Sequence, residues 1–137
     1  MKEELQSLAS SLGIGDRVTW LGRVPHAART LQAFDVLLLS SRTEGTPMVL
    51  LEAMAAEVPI VTTSVGGIPE FLTSREALLA EFGDISALSA GIERVLEEPE
   101  AARDRAHTAR LALDDRFDVR HWVERYSSVY DSVIGKP

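Results

Sequence analysis

The sequence predicts an α/β fold, a parallel sheet wound on both faces and continued by a run of helices, from three observations. Two stretches, Asp35-Val36-Leu37-Leu38-Leu39-Ser40 and Val58-Pro59-Ile60-Val61-Thr62-Thr63, are apolar without alternation, as strands covered on both faces are. Helix-period segments sit before, between and after them, which is the alternation of a doubly wound sheet. From Asp84 onward only the helical period remains, punctuated by Pro99 and Asp118.

Leu5, Leu8 and Leu12 recur at helical spacing from residue 2 to about 12, and Gly13, Gly15 and Asp16 close that segment. Arg17-Val18-Thr19-Trp20-Leu21-Gly22 reads as a short strand ending in glycine. Pro25 opens a helix that ends near Phe34. After the buried strand at residues 35 to 40, Thr46 is the expected N-cap of a helix from Pro47 to Ala56, with proline at the first helical position, where its missing N–H costs nothing. The second buried strand carries Pro59 near its start, a position proline tolerates. Gly66-Gly67 turns the chain into a short helix at Pro69 to Leu72, and Ala77-Leu78-Leu79-Ala80 is a weaker last strand. That glycine pair fits a plain turn as well as close approach to a ligand. Asp84 then caps a helix with Leu88, Ile92, Val95 and Leu96 on its apolar side. A second helix from Pro99 shows a narrow face of Ala102, Ala106, Ala109 and Leu113. Asp118 caps a third, along which Val119, Trp122, Tyr126, Val129 and Val133 repeat. With no repeat or long linker, residues 1–137 read as one domain.

Composition narrows the function classes. With 45% hydrophobic residues in 137, a core needs no staples, and the absence of cysteine removes disulfides and thiolate metal sites, in keeping with a cytoplasmic setting. A net charge of −7 argues against a nucleic-acid partner, because backbone binding depends on lysine and arginine. The apolar runs are far shorter than the roughly 20 residues that span a bilayer. Membrane contact is therefore expected only through parts absent from this sequence. His26, His107 and His121 lack metal-ligand spacing and are expected at the surface or as caps, and no metal is expected. Arg42 is within reach of a phosphate in principle, but a solvated arginine is the simpler expectation.

Two acids carry the functional reading. Glu44 and Glu52 bracket Gly45-Thr46-Pro47-Met48-Val49-Leu50-Leu51, directly after a buried strand. Glu44 falls in the loop before the helix, and Glu52 falls inside it, four residues from Met48 and on the same face. The amides of Met48, Val49 and Leu50 are expected to lack intrahelical partners at the positive end of the helix dipole, where an anion such as phosphate binds. A loop acid, an amide nest and a helical acid along one crevice suit a ligand that is part polyol and part phosphate. The crevice rule for open α/β sheets places such a ligand outside the carboxyl ends of the strands, where residues 41–48 and 64–69 lie.

The stretch Leu37-Leu38-Leu39-Ser40-Ser41-Arg42-Thr43-Glu44-Gly45-Thr46-Pro47-Met48-Val49-Leu50-Leu51-Glu52-Ala53-Met54-Ala55, followed by Val65-Gly66-Gly67-Ile68-Pro69-Glu70, resembles the retaining glycosyltransferases of family 4. The resemblance covers almost the whole chain, from Val18-Thr19-Trp20-Leu21-Gly22 to the last helix with Tyr126 and Tyr130. It implies the Rossmann-like C-terminal domain of a GT-B enzyme, the half that holds a nucleotide-sugar donor. It also implies a role for each matched residue. Glu44, the catalytic candidate, would hydrogen-bond the donor sugar, and Gly45, Thr46, Pro47 and Met48 would line it. Met48 and Val49 would offer amides to the diphosphate, Glu52 would accept from the ribose, and Arg23 and Val24 would lie against the base. The donor would be UDP- or GDP-linked and enters as substrate; no cofactor is implied.

By the same comparison, the chain lacks the first two strands of that domain, with the arginine and lysine that clamp the diphosphate, and the N-terminal acceptor domain. The strand at residues 17 to 21 would then lose both expected neighbours. It would pair with another edge, stay loose, or find its partners on another polypeptide, and an open edge invites a homo-oligomer. The polypeptide alone is expected to bind donor weakly and to turn nothing over. Where the family usually has glycine this chain has Glu57, which implies strain or an altered helix end. Two other readings stand beside the transferase fragment: a non-catalytic truncated module acting in association, and a fragment of a nucleotide-sugar epimerase.

Overall fold

The computed structural model describes residues 2–135; Met1, Lys136 and Pro137, the ends of the expected 1–137 unit, lie outside the described residues. Helix α1, Lys2–Ser11, ends as its glycine predicts: Gly13 takes φ 69 and the Ile14 amide donates to the Ala9 carbonyl at 3.0 Å. The strand expected at residues 17 to 22 is absent. A 3-10 turn, Gly15–Arg17, passes into chain without regular structure. A β-favouring run becomes a strand only where a neighbour supplies its ladder, and among the described residues no strand lies beside it. The helix expected from Pro25 is a tighter 3-10 segment, Ala27–Ala33, entered through His26 at φ 56.

Three parallel strands follow, each shorter than its apolar run: β1 (Leu37–Leu39), β2 (Ile60–Thr63) and β3 (Leu78–Ala80), in the order β1-β2-β3. Leu37 pairs with Ile60 and Val61 with Leu78. Successive side chains of β2 serve opposite layers. Ile60, with Leu37, Leu39 and Leu79, packs in a cluster with Leu50, Ala53 and Met54 of α2 (Met48–Ala55) and Ala109 of α4 (Pro99–Arg116). Val61 and Leu78 instead meet Leu88, Ile92 and Val95 of α3 (Ile85–Glu97) and Ala102 of α4. Both faces of β2 are covered, which is why it reads as a continuous hydrophobic run; β1, expected to be buried on both faces, instead leaves Leu38 exposed. At Gly91 a Cβ would stand 3.0 Å from Val61 Cγ1, so the missing side chain lets α3 lie close on the sheet.

The alanine face of α4 lies against α2, and Arg110 Nη1 donates to the Ala55 carbonyl at 2.7 Å, satisfying an orphan acceptor at the end of α2. Just beyond, Glu57 takes φ 53, the left-handed conformation that glycine would adopt freely, while its carboxylate lies 3.2 Å from His107 Nδ1. That contact is exposed and worth little. Glu57→Gly is therefore expected to raise stability by roughly 0.5 kcal/mol, since relief of about 1 kcal/mol of backbone strain exceeds the lost contact. Urea denaturation checks this; an unchanged or lower midpoint would contradict it.

Glu76, at 3% exposure, is a buried carboxylate, and its Oε2 accepts from the Thr73 amide at 2.9 Å and the Thr73 hydroxyl at 2.5 Å. Arg116 reaches its other oxygen at 3.8 Å and donates to the Phe71 carbonyl. Burial pushes this carboxyl up, but the Thr73 bonds, with Arg116 and Arg75, outweigh burial and hold it below its ordinary 4.5.

Both expected aspartate caps are present: Asp84 accepts from the Ala87 amide and Asp118 from the Arg120 amide, each at 2.8 Å. Bonds from the Arg120 side chain and amide pull the Asp118 carboxyl down to about 2. Helix α5, Val119–Ile134, forms as its period predicts, but its apolar side is not buried among the described residues. None of its residues is buried, and Trp122 and Tyr126 stack on each other at 5.1 Å. Among the described residues no helix is long and apolar enough to cross a membrane, and no His/Asp/Glu cluster could hold a metal.

Candidate functional site

In a parallel sheet all strands deliver their following loops to one edge. The loop from Ser40 to Pro47 after β1 and the loop from Ser64 to Gly67 after β2 meet there and interlock. The Gly67 amide donates to the Glu44 carbonyl at 3.2 Å. A Cβ on Gly66 would stand 1.8 Å from the Glu44 oxygen, and one on Gly67 would stand 2.5 Å from the Gly45 oxygen. Gly66 also takes φ 55. The glycine pair is thus explained by the approach of two backbones, a cause that neither of the readings left open by the sequence named.

Glu44 is half-buried, and its side chain is held locally. Ser41 Oγ donates to Glu44 Oε1 at 2.6 Å, and the buried Thr63 Oγ1, at the end of β2, donates to the Ser41 carbonyl at 2.7 Å. Sequence reading missed both hydroxyls as site residues. A serine three positions before an acid is a local hydrogen-bonding pattern that could have signalled the first. Nothing in the sequence signals the second, which acts across 22 positions.

Helix α2 begins one residue later than expected. Pro47, extended at ψ 113, is the N-cap, and Thr46 lies outside the helix and makes no cap bond. The Leu50 amide donates to the Pro47 carbonyl at 3.0 Å, so it is not available to a ligand, contrary to expectation. Among the described residues no acceptor meets the amides of Met48 and Val49. Met48 is 63% exposed, so the amino end of α2 opens to solvent rather than into the core.

Gly45 and Thr46 are exposed beside this opening, Pro47 and Val49 are half-buried, and Glu52 is half-buried within the helix, with no hydrogen bond or ion pair to its side chain among the described residues. Arg23 is exposed and Val24 half-buried in the irregular segment after Gly22; no hydrogen bond or ion pair ties either side chain to the Glu44 loop among the described residues. The structure thus brings Glu44, Gly45, Thr46, Pro47, Met48 and Val49 together as one continuous surface, and leaves Arg23 and Val24 without a bonded link to it. Arg42 is placed over the Phe82 ring, 5.8 Å from its centroid, bridging the loops that follow β1 and β3.

A family model for glycosyl transferases group 1 matches residues 1–112. The chain belongs to this family. Among relatives of the glycosyl transferases group 1 chain is the N-acetyl-alpha-D-glucosaminyl L-malate synthase of Bacillus anthracis, 35% identical over 128 residues, a match covering 93% of this chain and 34% of the relative. Among solved structures, Alr3699/HepE of Anabaena in complex with UDP superposes with a TM-score of 0.90 at 25% identity, over 95% of this chain and 36% of that one. The same protein is also known in complex with UDP-glucose. A sucrose-phosphate synthase of Thermosynechococcus elongatus superposes with a TM-score of 0.88 at 27% identity, over 96% of this chain and 34% of that one. The group 1 chain therefore has the Rossmann-like α/β fold of the C-terminal part of GT-B glycosyltransferases, and it spans about a third of the length of the relatives it matches.

Proposed function

We propose that this chain is the donor-binding part of a retaining, family 4 glycosyltransferase, which transfers a hexosyl group from a UDP- or GDP-linked sugar to an acceptor. The observation that carries this reading is the pairing of an anchored carboxylate, Glu44, with the amides of Met48 and Val49 at the amino end of α2, which meet no acceptor among the described residues. A carboxylate accepts and does not donate, so its ligand partner must bring hydrogen-bond donors, as the hydroxyls of a sugar do; bare helix amides take an anion. A sugar joined to a diphosphate supplies both at neighbouring positions. Glu44 is the catalytic residue in this sense, touching the sugar whose bond breaks, with Gly45, Thr46 and Pro47 along its side. Glu52 accepts from the ribose, and Arg23 and Val24 flank the base.

Retention in such a reaction needs no protein nucleophile. The acceptor attacks the face from which the nucleotide leaves, and the amino end of α2 stabilises the departing diphosphate. The complete reaction requires an acceptor-binding part beyond this chain, and the chain itself is expected to bind donor weakly and turn over nothing. The family match and the transferase relatives favour this reading over the epimerase. Beyond the donor, the open edge at β1 offers a surface for a further copy of the chain.

Calorimetric titration with UDP, UDP-glucose and GDP-linked hexoses tests the proposal. Glu44→Ala is expected to reduce the affinity ratio of nucleotide-sugar to nucleotide about tenfold, the effect of a lost charged hydrogen bond, whereas Glu52→Ala weakens sugar-nucleotide and nucleotide alike. Equal binding by wild type and both variants would reject the assignment.

A further inference from the structure

We infer that Ser41 and Thr63 are positioning residues that set which oxygen of Glu44 a ligand meets. This inference rests on the donor-binding reading of Glu44. The relay has two links: Thr63 Oγ1 to the Ser41 carbonyl at 2.7 Å, and Ser41 Oγ to Glu44 Oε1 at 2.6 Å. Thr63 is 1% exposed and ends β2, so its hydroxyl is fixed by the sheet. It holds the Ser41 backbone at the point where the chain leaves β1. Ser41 then donates to one carboxylate oxygen through a short, charge-assisted bond.

A glutamate side chain in a loop samples several rotamers and loses that freedom when it binds. Here the freedom is removed in advance by a hydroxyl that itself hangs from the sheet. With Oε1 committed to Ser41, Oε2 remains as the acceptor for a ligand hydroxyl, and among the described residues no donor competes for it. The backbone of Glu44 is held separately, through the Gly67 amide. The main chain is thus anchored from the loop after β2, and the carboxylate from Ser41 in the loop after β1 and, through it, from the end of β2.

The test compares Ser41→Ala and Thr63→Val with the conservative variants Ser41→Thr and Thr63→Ser, which keep the hydroxyl. In the ligand-free chain, three-bond NMR couplings of Glu44 are expected to report one side-chain rotamer in wild type and averaging in Ser41→Ala. In titrations, Ser41→Ala is expected to lower the affinity ratio of UDP-glucose to UDP about three- to tenfold, with Ser41→Thr restoring most of it. Should Thr63→Val not fold, Thr63→Ser and Ser41→Ala carry the test alone. Unchanged Glu44 couplings in Ser41→Ala, or an unchanged ratio while Glu44→Ala abolishes it, would overturn the positioning role and leave the donor reading standing. A wild type with no preference for UDP-glucose over UDP would overturn the donor reading, and with it the purpose assigned to the relay.

Discussion

Replacing Gly66 with alanine is expected to destabilise the protein by about 3 kcal/mol or more and, under the proposed donor-binding function, to remove the preference for UDP-glucose over UDP which that proposal expects. The added Cβ would stand 1.8 Å from the Glu44 carbonyl oxygen, far inside van der Waals contact, and both sides of the clash are backbone. No rotamer change relieves it, so one loop must withdraw. Alanine at φ 55 adds about 1 kcal/mol of conformational strain, and withdrawal breaks the Gly67 to Glu44 hydrogen bond, worth about 1 kcal/mol. Gly67→Ala provides the control. Its φ of −79 suits alanine, and its Cβ would stand 2.5 Å from the Gly45 oxygen, so its effect should be smaller. Urea denaturation together with titration decides; a Gly66→Ala protein of wild-type stability would contradict the interlock.

Glu76 supplies the second large effect. Glu76→Ala takes the shared acceptor from the amide and hydroxyl of Thr73, an exposed residue, removes a partner of the half-exposed Arg116 and empties a buried position, a loss of about 1–3 kcal/mol. Its pH dependence has a definite sign. A carboxyl held below its ordinary 4.5 in the folded state contributes fully above the unfolded value, and that contribution fades as pH falls through the lower folded value. The stability gap between wild type and Glu76→Ala should therefore be constant near neutrality and narrow below pH 4.5. A gap of the same size at pH 7 and at pH 3 would show that the carboxylate form contributes nothing.

Features decided by neighbours in sequence were legible, and features decided across space were not. Asp84 and Asp118 cap their helices as read, because a cap bonds an amide two or three residues away. The strand at Ile60 was legible because burial on both faces leaves an unbroken apolar run; the one at Leu37 was legible from the same kind of run, although Leu38 is exposed. The left-handed position at Glu57 came from the resemblance, in which glycine stands there, and of strain or an altered helix end it is the strained backbone that is present. Residues 17 to 22 failed because strand propensity is a preference for a neighbour that this sheet does not provide. The period of α5 disclosed an apolar side but not whether anything covers it. In the candidate site, Glu44 and the helix start were legible to within one residue, Pro47 replacing Thr46 because its own ψ delays the first turn. The Thr63 hydroxyl and the need for glycine at 66 and 67 depend on how two loops nest, and only coordinates disclose that.

Helix α2 is finished at one end only. At its tail, the Arg110 guanidinium covers the Ala55 carbonyl and so offsets the negative pole; at its head, among the described residues, neither Thr46 nor any other side chain caps the first amides. What remains is a lopsided electrical rod whose unshielded positive tip faces water at Met48. On a protein of net charge −7, that tip is a local exception to a field that otherwise turns anions away. Added salt should therefore act in two opposing directions on an approaching diphosphate, screening the general repulsion at long range while weakening the attraction at the tip.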